Sequence, residues 1–196
     1  MNKNLLIVDA INGSIETKKK IIENQEILET IEKISEVMIT ALTSGRKVLF
    51  CGNGGSAADA QHLAAELSGK FYIDREPLFA EALHCNTSYL TAVANDYSFD
   101  NVFERIVKGM GREGDVLVGI STSGNSKNVV KAMEVANQKG MATVGFTGGT
   151  GGKMKEVCKC TINVPSSDTP RIQESHILIA HIICEIVEKK IFGNKT

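Results

Sequence analysis

Val48-Leu49-Phe50-Cys51-Gly52-Asn53-Gly54-Gly55-Ser56-Ala57-Ala58-Asp59-Ala60-Gln61-His62-Leu63-Ala64-Ala65-Glu66 runs from an apolar strand through a glycine-rich turn into a helix. Such a turn frees backbone N–H groups at the positive end of a helix dipole, where an anion or polar ligand can sit. His62 and Glu66 are four residues apart, so both leave one helix face. That spacing alone reads as a surface pair, an acid/base pair or a metal pair.

Outward from this stretch the pattern alternates. Strands are predicted at Lys47–Cys51, Leu78–Leu83, Asp115–Ile120, Ala142–Phe146 and Cys160–Val164. Helices are predicted at Ser56–Gly69, Ser88–Ala94, Phe99–Gly109, Ser126–Lys139 and Arg171–Phe192. Short turns between strand and helix mean parallel pairing with right-handed crossovers. The expectation is an α/β fold: one parallel sheet of about five strands with helices on both faces. From Ser14 to Leu42 apolar residues recur at helical spacing, giving one or two amphipathic helices whose stripe packs on the domain or on another subunit. Residues 1–45 are thus expected to form a helical extension and residues 46–196 the single domain.

The 196-residue chain has 22 Lys+Arg against 23 Asp+Glu, lacks Trp, and has one short basic run, Lys18-Lys19-Lys20, which reads as a solvated helix face. Nucleic acid is therefore not an expected partner. The five cysteines are odd in number and scattered, which fits reduced thiols rather than a disulfide framework. Leu5-Leu6-Ile7-Val8 is too short for a signal-peptide core and no run reaches membrane-spanning length. The expected compartment is the cytoplasm, with no membrane partner.

Ligands of open parallel sheets bind beyond the carboxyl ends of the strands. Two turns fall there, Gly52–Ser56 and Ser121-Thr122-Ser123-Gly124-Asn125-Ser126. Hydroxyls and amides at a helix N-terminus suit a phosphate monoester, although Ser and Thr also cap helices. Neither turn is a Walker A loop, since no Gly-Lys-Ser/Thr follows. His181 lies in an apolar stretch, where a hydrogen-bonded core histidine is the ordinary reading. Gln173 precedes it by eight residues, about 12 Å along a straight helix. The two share one ion only if Gln173 reaches down from the helix start or if subunits contribute separately. Arg171 reads as a salt-bridge partner ahead of a phosphate ligand, and Asn95-Asp96 as a turn.

With those residues in view, the chain resembles the sugar isomerase (SIS) family, and within it the phosphoheptose isomerases, from about residue 20 to 192. The likeness rests on Cys51 to His62, Ala65-Glu66-Leu-Ser-Gly69, Asn95-Asp96-Tyr97, Gly119 to Ser126, and Arg171-Ile-Gln-Glu174 followed by His181. It implies a three-layer α/β/α, flavodoxin-like fold. It implies a homotetramer with active sites between subunits, the N-terminal helices aiding assembly. Zinc, one per subunit, would be held by His62, Glu66, Gln173 and His181. A phosphorylated seven-carbon sugar would meet Asn53, Gly54, Gly55, Ser56, Glu66, Asn95, Asp96, Ser121, Thr122, Ser123, Ser126 and Gln173. Glu66 would be the base and His181 the acid of an isomerisation of sedoheptulose 7-phosphate. The same fold also serves a replication-initiation regulator and sugar-phosphate sensors, so a binding module without turnover is the alternative. One departure stands out: Asn86, in His84-Cys85-Asn86-Thr87-Ser88, takes the place of an aspartate common among relatives, and it leaves substrate preference open.

Overall fold

In the computed structural model, which describes residues 3–193, the apolar run becomes strand β1 (Val48–Gly52) of a five-stranded parallel sheet. Its companions are β2 (Ala80–Ala82), β3 (Val116–Ile120), β4 (Ala142–Gly148) and β5 (Cys160–Val164), in the order β2-β1-β3-β4-β5. This is the doubly wound, flavodoxin-like order. β1 and β3 are buried at every residue, as continuous apolar strands covered on both faces must be. β1 and β3 pair from Val48↔Val116 to Gly52↔Ile120, so their carboxyl ends finish level. The chain order reverses there, and a crevice opens between the turns that follow.

Helices fill both outer layers. On one face lie α2 (Gln25–Thr43), α3 (Gly55–Ser68) and α8 (Thr169–Phe192), which share a core with one side of the sheet. The other face carries α4 (Thr87–Asp96), α5 (Val102–Met110), α6 (Lys127–Gln138) and the short α7 (Gly152–Val157). α2 starts where the Asn24 side chain accepts the Ile27 N–H at 3.2 Å. Its stripe of Ile27, Ile31, Ile34 and Met38 is buried against α8 and the sheet, each side chain contributing about 1.5–3 kcal/mol. α1 (Lys3–Ile22) precedes it and leaves Leu5, Leu6, Ile7, Val8, Ile11 and Ile15 exposed. Among the described residues, no helix is long and apolar enough to cross a membrane.

Several boundaries differ from those predicted. Helix α1 begins at Lys3, well before Ser14. The strand predicted at Leu78–Leu83 shrinks to Ala80–Ala82, because the Leu78 N–H is given to the Leu67 carbonyl at 3.1 Å. The helix predicted at Phe99–Gly109 splits into a 3-10 turn, Phe99–Asn101, and α5. Asn101 sits at the junction and its side-chain oxygen accepts from Lys131 Nζ at 2.7 Å. α7 was not predicted, since Gly148-Gly149-Thr150-Gly151-Gly152 reads as a loop.

Candidate active site

α3 and α8 run side by side in the same direction, and the predicted site residues collect at two levels along them. At the first level, the turn after β1 brings Asn53, Gly54, Gly55 and Ser56 to the carboxyl edge of the sheet. Gly54 adopts φ +56° to open α3, a backbone open to glycine at little cost. Asn53 is tied across the crevice to Asn128 of α6 by two amide hydrogen bonds of 2.9 Å. That couples the β1 turn to the β3–α6 loop.

The loop of Ser121–Ser126 folds on itself. Its Ser121 and Ser126 hydroxyls meet at 2.8 Å, and the Gly124 N–H returns to the Ser121 carbonyl at 2.9 Å. Ser126 occupies the cap position of α6 without making a side-chain capping bond. Helix capping therefore does not account for that hydroxyl, and the start of α6 stays open to an anion. Gly124 has φ +66°, and a Cβ there would stand 2.0 Å from the Gly151 carbonyl oxygen, so the loop rests directly on the backbone after β4. A cavity of about 260 Å³ adjoins it, lined by Thr122, Ser123, Thr150, Ser166 and Thr169 among others. Gln173, in the second turn of α8, belongs to this level: a Cβ on Gly55 would come within 2.5 Å of its amide nitrogen.

At the second level, His62 Nε2 and His181 Nε2 are 2.9 Å apart, and His62 Nε2 is 3.3 Å from Glu66 Oε1. One ligand atom from each of His62, Glu66 and His181 lies within 4.8 Å of the others. The histidine rings meet edge to face with centroids 5.1 Å apart, and Phe71 packs 5.7 Å from the His181 ring. Two imidazole nitrogens and a carboxylate oxygen converging with one side open form a donor set that fits zinc. Gln173 is not part of this cluster in the chain. Between Gly55, beside Gln173, and Glu66 lie about 16 Å of helix, and between Gln173 and His181 about 12 Å.

His181 is half-buried and paired with His62, while the buried core histidine of α8 is His176, 1 % exposed. His176 Nε2 donates to the Thr147 carbonyl at 2.9 Å and its Nδ1 is buried without a partner. Burial pushes its pKa down to about 4, against the upward pull of the Thr147 hydrogen bond. This neutral imidazole pins α8 to the end of β4. The sequence reading also passed over Asp59. It lies one turn before His62, with Oδ2 buried and unpartnered. Burial raises its pKa above the usual carboxylate range despite the opposing pull of His62 and His181. Its spacing of three from His62 was the available signal.

The remaining predicted residues, and Arg171, make local contacts of their own. Asn95 and Asp96 are exposed in the last turn of α4, hydrogen-bonded to each other at 3.0 Å. Asn86 caps α4, its side chain accepting the Tyr89 N–H at 3.0 Å. Aspartate caps equally well, so the cap itself does not demand asparagine. Arg171 pairs with Glu174 at 2.6 Å and also holds the Ala10 carbonyl, while Ser14 donates to Glu174 at 2.8 Å. That cluster latches α1 to the start of α8, next to Gln173.

Residues 11–148 match the SIS domain family. The phosphoheptose isomerase of Clostridium acetobutylicum is 55 % identical over 185 residues, 94 % of each chain. The structure of a phosphoheptose isomerase from Neisseria gonorrhoeae superposes with a TM-score of 0.89 at 43 % identity, over 95 % of this chain and 98 % of that one. One from Francisella tularensis gives 0.92 at 35 % identity, over 96 % and 100 %. The two loops at the sheet edge and the histidine–carboxylate cluster thus sit in a framework shared over 94–96 % of the chain, which belongs to the SIS domain family, on its phosphoheptose isomerase branch.

Proposed function

We propose that this chain isomerises sedoheptulose 7-phosphate to D-glycero-D-manno-heptose 7-phosphate through an enediol, in the cytoplasm, supplying heptose for a bacterial surface glycan such as lipopolysaccharide or capsule. The observation that carries the chemistry is the meeting of Glu66 with His62 and His181, from two helices, within 4.8 Å. The relatives named phosphoheptose isomerase support the substrate class. Ser121, Thr122, Ser123 and Ser126 hold the phosphate, with Asn53, Gly54, Gly55 and Ser56 lining the crevice, and Asn95 and Asp96 contact the sugar. Binding energy from the phosphate, remote from the reacting carbons, orients the carbonyl end.

At the reacting end, a Glu66 carboxylate oxygen takes the proton from C1 of the ketose as the C1–C2 double bond forms. The electron pair of the C2 carbonyl moves onto oxygen, and the His181 imidazole supplies the proton there and removes the one on O1. Return of a proton to C2 closes the aldose. Zinc would be held by His62, Glu66 and His181 with Gln173 as fourth ligand, and when bound there it would hold the geometry of the cluster and polarise a substrate carbonyl that adds as a fifth ligand. A carboxylate held firmly by the metal is a weaker base, so Glu66 serves the two roles in turn.

Gln173 and the phosphate loop belong to one level, and the cluster to another about 10–16 Å further along α3. A set of His62, Glu66, Gln173 and His181 around one ion therefore takes two chains. We read the active site as shared between protomers of a homotetramer. The exposed apolar residues of α1, with Leu178 and Ile182 beside His181, support an assembly in which residues 1–45 contribute contacts. A non-catalytic module would have no use for the carboxylate–imidazole pair.

The test is incubation with sedoheptulose 7-phosphate, with product followed by NMR. An aldoheptose 7-phosphate is expected from the native protein, and a loss of at least about 1,000-fold in kcat from Glu66→Gln with the fold retained. A near-native rate in that variant would remove Glu66 as the base.

A further inference from the structure

α8 grips α3 a second time below the histidine pair. Glu188 follows His181 by seven residues, on the same face of the helix, and is 1 % exposed. Its carboxylate accepts the backbone N–H groups of Phe71 at 3.0 Å, Tyr72 at 2.7 Å and Ile73 at 3.0 Å, and Nε of Arg75 at 2.9 Å. The Arg75 guanidinium donates onward to the carbonyls of Glu66 at 3.0 Å, Leu67 at 2.9 Å and Gly69 at 3.1 Å. Those of Glu66 and Leu67 belong to the last turn of α3, which has no helical donors for them, and a cation there is favoured by the helix dipole.

A buried ion pair is poor evidence for stability, because desolvation offsets its attraction and apolar side chains fill such space as well. Apolar side chains could not grip three loop amides and the free end of a helix at once. The gripped segment begins at Phe71, whose ring packs 5.7 Å from His181. The guanidinium bonds the carbonyl of Glu66 itself.

We infer that Arg75 and Glu188 are positioning residues of the catalytic cluster: together they fix the last turn of α3, and with it Glu66, against the stretch of α8 that carries His181, and hold Phe71 as the wall behind that imidazole. This rests on the isomerase reading above. Both side chains are buried, 2 % and 1 % exposed, away from the solvent a substrate would arrive through. Arg75 cannot be exchanged for lysine, which keeps the charge but lacks the planar fork that spans a carboxylate and several carbonyls.

Arg75→Lys and Glu188→Gln test this, with kcat, KM, thermal unfolding and the ring signals of the four histidines read on each. Expected is a fall in kcat of about 10- to 100-fold with KM changed less than about 2-fold, since the phosphate loop is on other elements. The His62 and His181 signals shift, while those of His84 and His176 stay. Folded variants with native kcat and unmoved His62 and His181 signals would reduce the pair to a stabilising contact and overturn the inference. If the native protein does not turn over sedoheptulose 7-phosphate, the isomerase reading fails by itself, and the histidine signals of the variants still judge the clamp. Should neither variant fold, hydrogen exchange on the native protein decides. Protection of the 71–73 amides as strong as that of the sheet is expected, and exchange at the rate of an exposed loop overturns the clamp.

Discussion

Replacing His176 by Gln should remove about 1.8 kcal/mol of the stability that the protein loses between pH 7 and pH 5. The native imidazole is neutral: Nε2–H donates to Thr147, and a proton on Nδ1 would be buried with no acceptor. Its pKa is about 4 folded against 6.5 for the free side chain. The depressed value means the unfolded chain binds the proton first, so stability is complete above about pH 6.5 and falls as pH drops toward 4. Linkage with these two values gives a loss of about 1.8 kcal/mol between pH 7 and pH 5, and about 3 kcal/mol once pH 4 is passed. Glu188 does not intrude in that window. Burial raises its pKa, but the Phe71, Tyr72 and Ile73 amides and Arg75 outweigh burial and hold it below the usual glutamate range, so it stays ionised there. Asp59 and His84 titrate alike in both proteins and cancel in the difference. The assay is urea unfolding of native and His176→Gln proteins at pH 7 and pH 5, at one protein concentration because assembly adds to apparent stability. The variant, whose amide can still donate to Thr147, should lose about 1.8 kcal/mol less than the native protein over that interval. Equal losses in the two proteins, or an NMR titration of His176 centred near 6.5, would refute the neutral, buried imidazole.

Two further substitutions probe the phosphate-bearing level. Gly124→Ala forces a side chain into left-handed backbone and against the Gly151 carbonyl, a strain of about 1–2 kcal/mol before the loop shifts; steady-state kinetics should show KM for the sugar phosphate raised at least about 10-fold, and an unchanged KM would dissociate this loop from the phosphate. Gly55→Ala displaces the Gln173 amide, the flexible end of a side chain, so the fold should survive while zinc affinity, measured by calorimetry after chelator treatment, falls about 10-fold; unaltered affinity would exclude Gln173 from the ligand set.

The fold was legible because its signals are local and repeated. Apolar runs such as Val116-Leu117-Val118 name buried parallel strands, and the glycine turns after them mark the sheet's carboxyl edge. The misplaced boundaries were set by tertiary bonds, as where Leu78 serves the end of α3 and Asn101 serves Lys131. For the site, i,i+4 spacing gave the His62–Glu66 pair, but nothing local told His181 from His176, five residues earlier in the same apolar helix. Only the packing of α8 beside α3 sends one ring to His62 and the other into the core. Arg75 and Glu188 were invisible for the same reason: they are 113 residues apart and read singly as surface charges.

A site shared between protomers is tested most directly by mixing two inactive variants. Co-expressing Glu66→Gln, which spoils the cluster, with Ser121→Ala/Ser126→Ala, which spoils the phosphate loop, leaves sites built across chains intact in about a quarter of random pairings. Purified hybrids should therefore regain about a quarter of native activity per site. Hybrids as inactive as their parents would place both halves of the site within one chain and contradict the shared arrangement.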